Sequence, residues 1–78
     1  MPIKINFNND IERVLEFVNV CQSYHNDDID VFAGRYIVDG KSQMGVTAIC
    51  TLPDISVKIN TDSPTNEILF AEDMKRFE

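Results

Sequence analysis

The stretch GKSQMGVTAICTL, residues 40–52, decides how the chain folds. It lies between two strand-like stretches and opens with a serine after a turn, followed by seven or eight mostly small or apolar residues. Serine is among the best helix N-caps, because its hydroxyl accepts from a first-turn amide that has no partner inside the helix. A short helix starting at Ser42 is therefore expected. The question is whether Ser42 does more than start it.

Working outward, DIDVFAGRYIVDG at 28–40 is expected to be a hairpin. Ile29 and Val31 face one way and Asp28 and Asp30 the other, with Gly34 supplying the positive φ of a tight turn. Phe32 falls on the polar face, where it is expected to lean on a cross-strand neighbour such as Ile37. DISVKIN at 54–60 alternates Ile55, Val57 and Ile59 against Ser56, Lys58 and Asn60, the period of a half-buried strand. IKINF at 3–7 alternates in the same way, with Ile3, Ile5 and Phe7 on one side.

Two longer segments change period. In NNDIERVLEFVNVCQSY, 8–24, the residues Ile11, Val14, Leu15, Val18 and Cys21 or Gln22 form a helical stripe, with Asn9 or Asp10 as its cap. In TDSPTNEILFAEDMKRF, 61–77, Ser63 and Pro64 mark a helix start, since Pro lacks only an N–H that would go unpaired there. Ile68, Ala71, Met74 and Phe77, with Phe70 beside them, are the expected buried stripe. The order is β, α, β, β, short α, β, α. Four strands with one apolar face, and helices able to cover only that face, predict an α+β, two-layer, open-faced β-sandwich. The first helix makes a right-handed crossover, and the fourth strand slips between the first two. The sheet is then antiparallel in the order 1-4-2-3.

Seventy-eight residues make one domain over 1–78, burying only about 60% of the surface exposed when unfolded. A large enclosed catalytic pocket is not expected. Thirteen acidic residues against seven basic give a formal charge of −6, with no block of Lys or Arg. Nucleic acid and anionic membranes are therefore poor partners. Cys21 and Cys50 sit in apolar stretches, which suits buried thiols in a reduced cytoplasm better than a disulfide framework. No signal peptide or membrane-spanning run is expected. There is no Ser–His–acid or Cys–His grouping and no Gly-rich phosphate loop, so the chain is not expected to be an enzyme, or to need a cofactor. His25, in QSYHNDD, sits about 20 Å from the start of a helix about 15 residues long. It suits a helix C-terminus, with Asn26 as a left-handed cap. Its spacing to Asp27 and Asp28 matches no metal-ligand pattern, so no metal is expected.

The element order, the KSQMG of residues 41–45 and the DxDV of the second strand resemble HPr, the phosphocarrier family of the bacterial sugar phosphotransferase system. The likeness covers nearly the whole chain in order and length. It implies two functional places, both helix N-termini, where unpaired N–H groups favour a phosphate. At the first, family members carry a phosphoryl-accepting His in a Gly-x-His-Ala-Arg-Pro context. Here the stretch is NNDIERV, with Glu12 or Arg13 at the histidine position and the Gly, Arg and Pro absent. A phosphoramidate needs an imidazole nitrogen, so phosphocarrier activity is not expected.

At the second place, Ser42 matches a serine that is phosphorylated by a dedicated kinase in many Gram-positive species. Lys41, Met44 and Gly45 are in register, and a phosphate there would be favoured by the helix dipole and by Lys41. Capping alone also explains Ser42, since it stabilises a helix by roughly 1 kcal/mol. The family's apolar docking patch on this helix is reduced. Met44 remains, but Gln43 and Thr47 stand at its other two positions, and a few buried side chains dominate a small interface. The resemblance thus implies a non-catalytic regulatory protein. Its partners would meet the first and second helix surface, with an HPr kinase or a transcription regulator as candidates. The alternative is a diverged interaction or structural module that has lost both phosphorylation roles.

Overall fold

A computed structural model describes residues 2–78. Strand β1 (Ile3–Lys4) leads to helix α1 (Ile11–Gln22), then to strands β2 (Asp28–Ala33) and β3 (Tyr36–Asp39). Helix α2 (Gln43–Ile49), strand β4 (Ile55–Asn60) and helix α3 (Pro64–Met74) follow, and a 3-10 turn (Lys75–Phe77) closes the chain. The sheet is antiparallel in the order β1-β4-β2-β3, as expected. Because β4 lies between β1 and β2, those two run parallel and α1 crosses over between them.

Period two is what makes the sheet one-sided. Ile29, Val31 and Ala33 of β2 pair with Ile59, Val57 and Ile55 of β4, and all six are buried. The intervening Asp28, Asp30 and Phe32 pair with Asn60, Lys58 and Ser56 on the open face. Phe32 is half-buried there, opposite Ile37 across the hairpin. The hairpin turn is Gly34-Arg35, with Gly34 at φ +61° and Arg35 on the ordinary side, the dihedral pattern of a type II′ turn.

Caps set the helices. Asp10 Oδ1 accepts from the Glu12 amide at 3.0 Å, and Ser63 Oγ accepts from the Asn66 amide at 3.2 Å with Pro64 at the first helical position. Against the inner face lie Val14, Phe17, Val18 and Cys21 of α1, Val46 and Ile49 of α2, and Phe70 and Met74 of α3. Phe17 is the hub. Its ring meets Phe7 edge-on at 5.2 Å and Phe77 edge-on at 5.5 Å between centroids. Such edge-to-face pairs add roughly 0.5–1.5 kcal/mol each beyond the area they bury.

Five expectations are corrected. The apolar stripe of α1 is rotated, so that Phe17 points inward while Ile11 is 52% exposed and Leu15 36% exposed. In α3 the buried row is Phe70, Met74 and Phe77, while Ile68 is 66% exposed and Ala71 is on the outside. In each case the row that reaches the sheet wins, because a helix can bury only one face against a flat layer. Strand β1 is shorter than the alternation suggests. Ile5 still donates to Ile55 O at 3.0 Å, but Asn8 and Asn9, at φ 54° and 53°, then turn the chain, and the Asp10 amide donates back to Phe7 O at 2.9 Å. Two consecutive left-handed residues make this a type I′ turn, which asparagine tolerates. Finally, α1 has 12 residues rather than about 15. It ends at Ser23 in a right-handed conformation, and Asn26 is not a left-handed cap.

Both cysteines are free. Burial, reinforced by the Asp39 carboxylate and opposed by Lys41, pushes the Cys21 thiol from 9.0 up to about 12. Burial and a hydrogen bond to Asp73 push the Tyr24 hydroxyl up as well.

Two outcomes follow from this core. Phe17→Ala should cost about 3–5 kcal/mol and Ile68→Ala no more than about 0.5 kcal/mol in urea unfolding, the reverse of what the sequence stripes imply for the α3 residue. Between pH 9.0 and about 12 the folded protein holds the Cys21 proton that the unfolded chain releases. Stability is therefore complete below that window and declines as pH rises through it. Cys21→Ala should make the alkaline decline in unfolding free energy shallower.

Candidate functional site

The start of α2 is built by a chain of short-range contacts. Asp39, the last residue of β3, accepts twice: its Oδ1 from the Lys41 amide at 2.9 Å and its carbonyl from the Ser42 amide at 3.0 Å. Ser42 is extended, at φ −96° and ψ 110°, and its Oγ accepts from the Gly45 amide at 3.1 Å. From the side, Gln22 Nε2 at the end of α1 donates to Lys41 O at 3.0 Å, so α1 ends where α2 begins.

Glycine is required next to this junction. A Cβ on the buried Gly40 would stand 2.8 Å from Ile29 Cγ2 and 3.2 Å from Cys21 Sγ. Gly45 also lies close, its absent Cβ falling 3.3 Å from both Ser42 Oγ and Val38 Cβ. Small residues thus let α2 sit down on β3 with its cap inside the contact.

Gln43, Met44, Thr47 and Ala48 line the outer side of α2, and Met44 is 84% exposed. Lys41 and Ser42 are half-buried beside them. Of the candidate residues, Gln43, Met44 and Thr47 thus share the outer side of α2 and Lys41 and Ser42 stand at its start, whereas Gly45 faces Val38 of β3.

The tip of α1 is arranged differently. Asp10 already places a carboxylate on its free amides, and Glu12 adds a second acid, exposed. That charge repels an anion from the positive helix end. Arg13 belongs to the scaffold. Its Nε donates to Asn6 O at 2.6 Å, and its guanidinium lies 5.4 Å from the centroid of the Phe77 ring. Arg76 lies over the same ring at 5.5 Å, and the Asn6 amide donates to Phe77 O at 2.6 Å. Arg13 thus holds the C-terminal turn against the start of the chain.

Beside that tip is a groove of about 650 Å³ that sequence reasoning missed. The Asn6–Asn9 turn, the loop Thr51–Asp54 and Glu78 line it. All three non-glycine residues with positive φ among the described residues, Asn8, Asn9 and Asp54, stand on its wall. The paired asparagines were its only signal in the sequence.

His25 is exposed in a smaller cleft at the other end of α1, with Ser23, Asp27, Asn66 and Asp73. The side chains around it are occupied: Tyr24 OH donates to Asp73 Oδ2 at 2.7 Å and Asn66 Nδ2 to the buried Asp27 Oδ2 at 2.8 Å. Among the described residues no group of three or more His, Cys, Asp or Glu is placed to hold a metal ion. No helix among them is long and apolar enough to cross a membrane.

The chain matches no known protein-family model, no curated protein sequence and no solved structure.

The α2 junction yields a graded prediction. Ser42→Ala should cost about 1 kcal/mol, the loss of one cap. Gly40→Ala should cost at least about 1–3 kcal/mol, because Ile29 and Cys21 cannot both retreat in a packed core. Urea midpoints of the two variants, with unchanged m-values, would check the ranking; a Gly40→Ala midpoint at or above that of Ser42→Ala would contradict it.

Proposed function

We propose that this chain is a non-catalytic, HPr-like regulatory or binding protein, acting through the outer surface of α1 and α2, with Ser42 as a phosphorylation switch. The observation that supports it is the juxtaposition at α2. The Ser42 hydroxyl caps the helix, Lys41 precedes it, and Met44 stands out beside it at a β-hairpin-to-helix junction in a 1-4-2-3 sheet. A phosphate on Ser42 adds about −1.5 to −2 charges at a helix start. There the amides and Lys41 stabilise it, while its bulk and charge change what can dock on Met44. The partner is a protein, an HPr kinase or a transcription regulator of a bacterial cytoplasm, rather than nucleic acid or membrane. His-type phosphate carriage is excluded from this proposal. The α1 tip has a carboxylate on its amides and an arginine that clamps Phe77.

A second reading draws on Gln43 and Thr47, which flank Met44 with polar groups. On that reading the domain is an interaction module that has lost both phosphorylation roles and meets partners outside sugar transport.

Incubation with an HPr kinase and ATP, followed by intact-mass measurement, separates them. The proposal expects one added phosphate per chain, absent from a Ser42→Ala variant that keeps its circular dichroism. An unchanged mass for the wild-type chain would remove the switch and leave the second reading.

A further inference from the structure

The two edges of the sheet are unequal. β1 is two residues long, starts after Pro2, carries an exposed Lys4, and is followed by an amide that is bonded to Phe77 O. Short length, proline and lysine are the usual ways of blocking a sheet edge. β3, at the other edge, has neither Lys nor Pro. Its residues Tyr36 and Ile37 are exposed, Ile37 at 63%.

The hydrogen-bond register shows what this edge offers. The Gly40 amide donates to Ile29 O at 2.8 Å, which makes that pair a hydrogen-bonded one. Bonded and non-bonded pairs alternate along an antiparallel ladder. Val31–Val38 and Ala33–Tyr36 are therefore bonded, and Phe32–Ile37 and Asp30–Asp39 are not. It follows that the N–H and C=O of Ile37, and the N–H of Asp39, point away from β2 into solvent. The Asp39 carbonyl is already used by the Ser42 amide.

Charge decides what fits there. On the open face Asp39 stands opposite Asp30, a like-charge pair that is unfavourable when directly opposed. Asp30 has Lys58 opposite it on β4 and accepts from Asn60 Nδ2, but Asp39 forms no ion pair among the described residues. Arg35, exposed in the hairpin turn, forms no ion pair among the described residues. An antiparallel strand centred on Ile37 would pair residue 37 with 37, 36 with 38 and 35 with 39. A second copy of this chain meets that requirement on both sides of a two-fold axis.

We propose that β3 is a self-complementary edge through which two copies associate, continuing the sheet across a two-fold axis at Ile37. The Ile37 backbones exchange a reciprocal pair of hydrogen bonds, Tyr36 packs beside the partner's Val38, and each Arg35 meets the partner's Asp39. Two-fold interfaces of this kind use the same patch on both subunits. The contact is a single short strand, well below the roughly 1,200 Å² of a standard stable interface, so association is concentration-dependent.

Sedimentation equilibrium between about 10 µM and about 1 mM tests this, in the range where weak contacts populate. The average mass should rise from 8.9 kDa toward twice that value, and exchange of the Ile37 amide should slow over the same range. Ile37→Lys and, independently, Arg35→Asp should hold the mass at the monomer value with unchanged circular dichroism, while Arg35→Lys associates like wild type. A monomer at every concentration, or a dimer equally strong in folded Ile37→Lys and Arg35→Asp variants, would overturn the proposal.

Discussion

The arrangement of this molecule depends on one close approach, that of the Gly40 backbone to Ile29 and Cys21. The chain leaves β3 there and must pass between the central strand and the end of α1 to begin α2. A hydrogen atom in place of a side chain makes the passage possible, since a Cβ would come within 2.8 Å of Ile29 Cγ2. The same residue donates to Ile29 O, so the ladder of the hairpin runs one step past the end of β3. Asp39 then turns the chain by accepting from Lys41 and Ser42, and Ser42 is left extended with its hydroxyl on the Gly45 amide. The position of the candidate switch is thus a consequence of core packing two residues earlier. A change that loosens Gly40 would move Ser42 and Met44 together.

A second closure works at the opposite corner. Phe77 arrives on a single 3-10 turn, meets Phe17 edge-on, and is covered by the guanidinium groups of Arg13 and Arg76. Arg76 also reaches Glu16 at 3.5 Å, an exposed pair of small energetic weight. The guanidinium–ring contacts of Arg13 and Arg76 and the short Asn6–Phe77 backbone bond complete the closure. A domain this small has limited buried area, and tying the last turn to the first loop adds to it. It also assigns Arg13 a structural task. The helix tip that would hold an anion is here engaged in holding the C-terminus.

Most of the fold was legible because its signals are local. The strict alternation in Ile55–Asn60 and Asp28–Val31, the Gly34 turn, and the serine caps at 42 and 63 each act over two to four residues. Helix rotation was less legible. In α1, apolar residues at 11, 14, 15, 17, 18, 20 and 21 cover well over half the circumference, so spacing alone allows several stripes. The sheet selects the one containing Phe17, the largest side chain able to fill the centre. Nor could local pattern find the buried Asp27, whose partner Asn66 is 39 residues away, or the groove walled by Asn8, Asn9 and Asp54. At the candidate site the Ser42 cap was legible from its residue type, while the outward placement of Gln43, Met44 and Thr47 was expected only from the family resemblance. The role of Arg13 was not legible, since it depends on a ring 64 positions later in the chain.

The rotation of α1 bears on the proposed role. Turning Phe17 inward leaves Ile11 and Leu15 outside on the helix that packs against α2, where Met44 is the most exposed large apolar side chain. A core satisfied by Val14, Phe17, Val18 and Cys21 has no need of these three. Single exposed apolar residues are ordinary on a soluble surface, and several on one pair of packed helices are less so. With a formal charge of −6 to oppose indiscriminate association, such residues can stay uncovered until a protein of matching shape and opposite charge arrives. On this view Met44 supplies the contact and Lys41 and Ser42 set its electrostatics. A phosphate on Ser42 would then govern which partner docks on Met44.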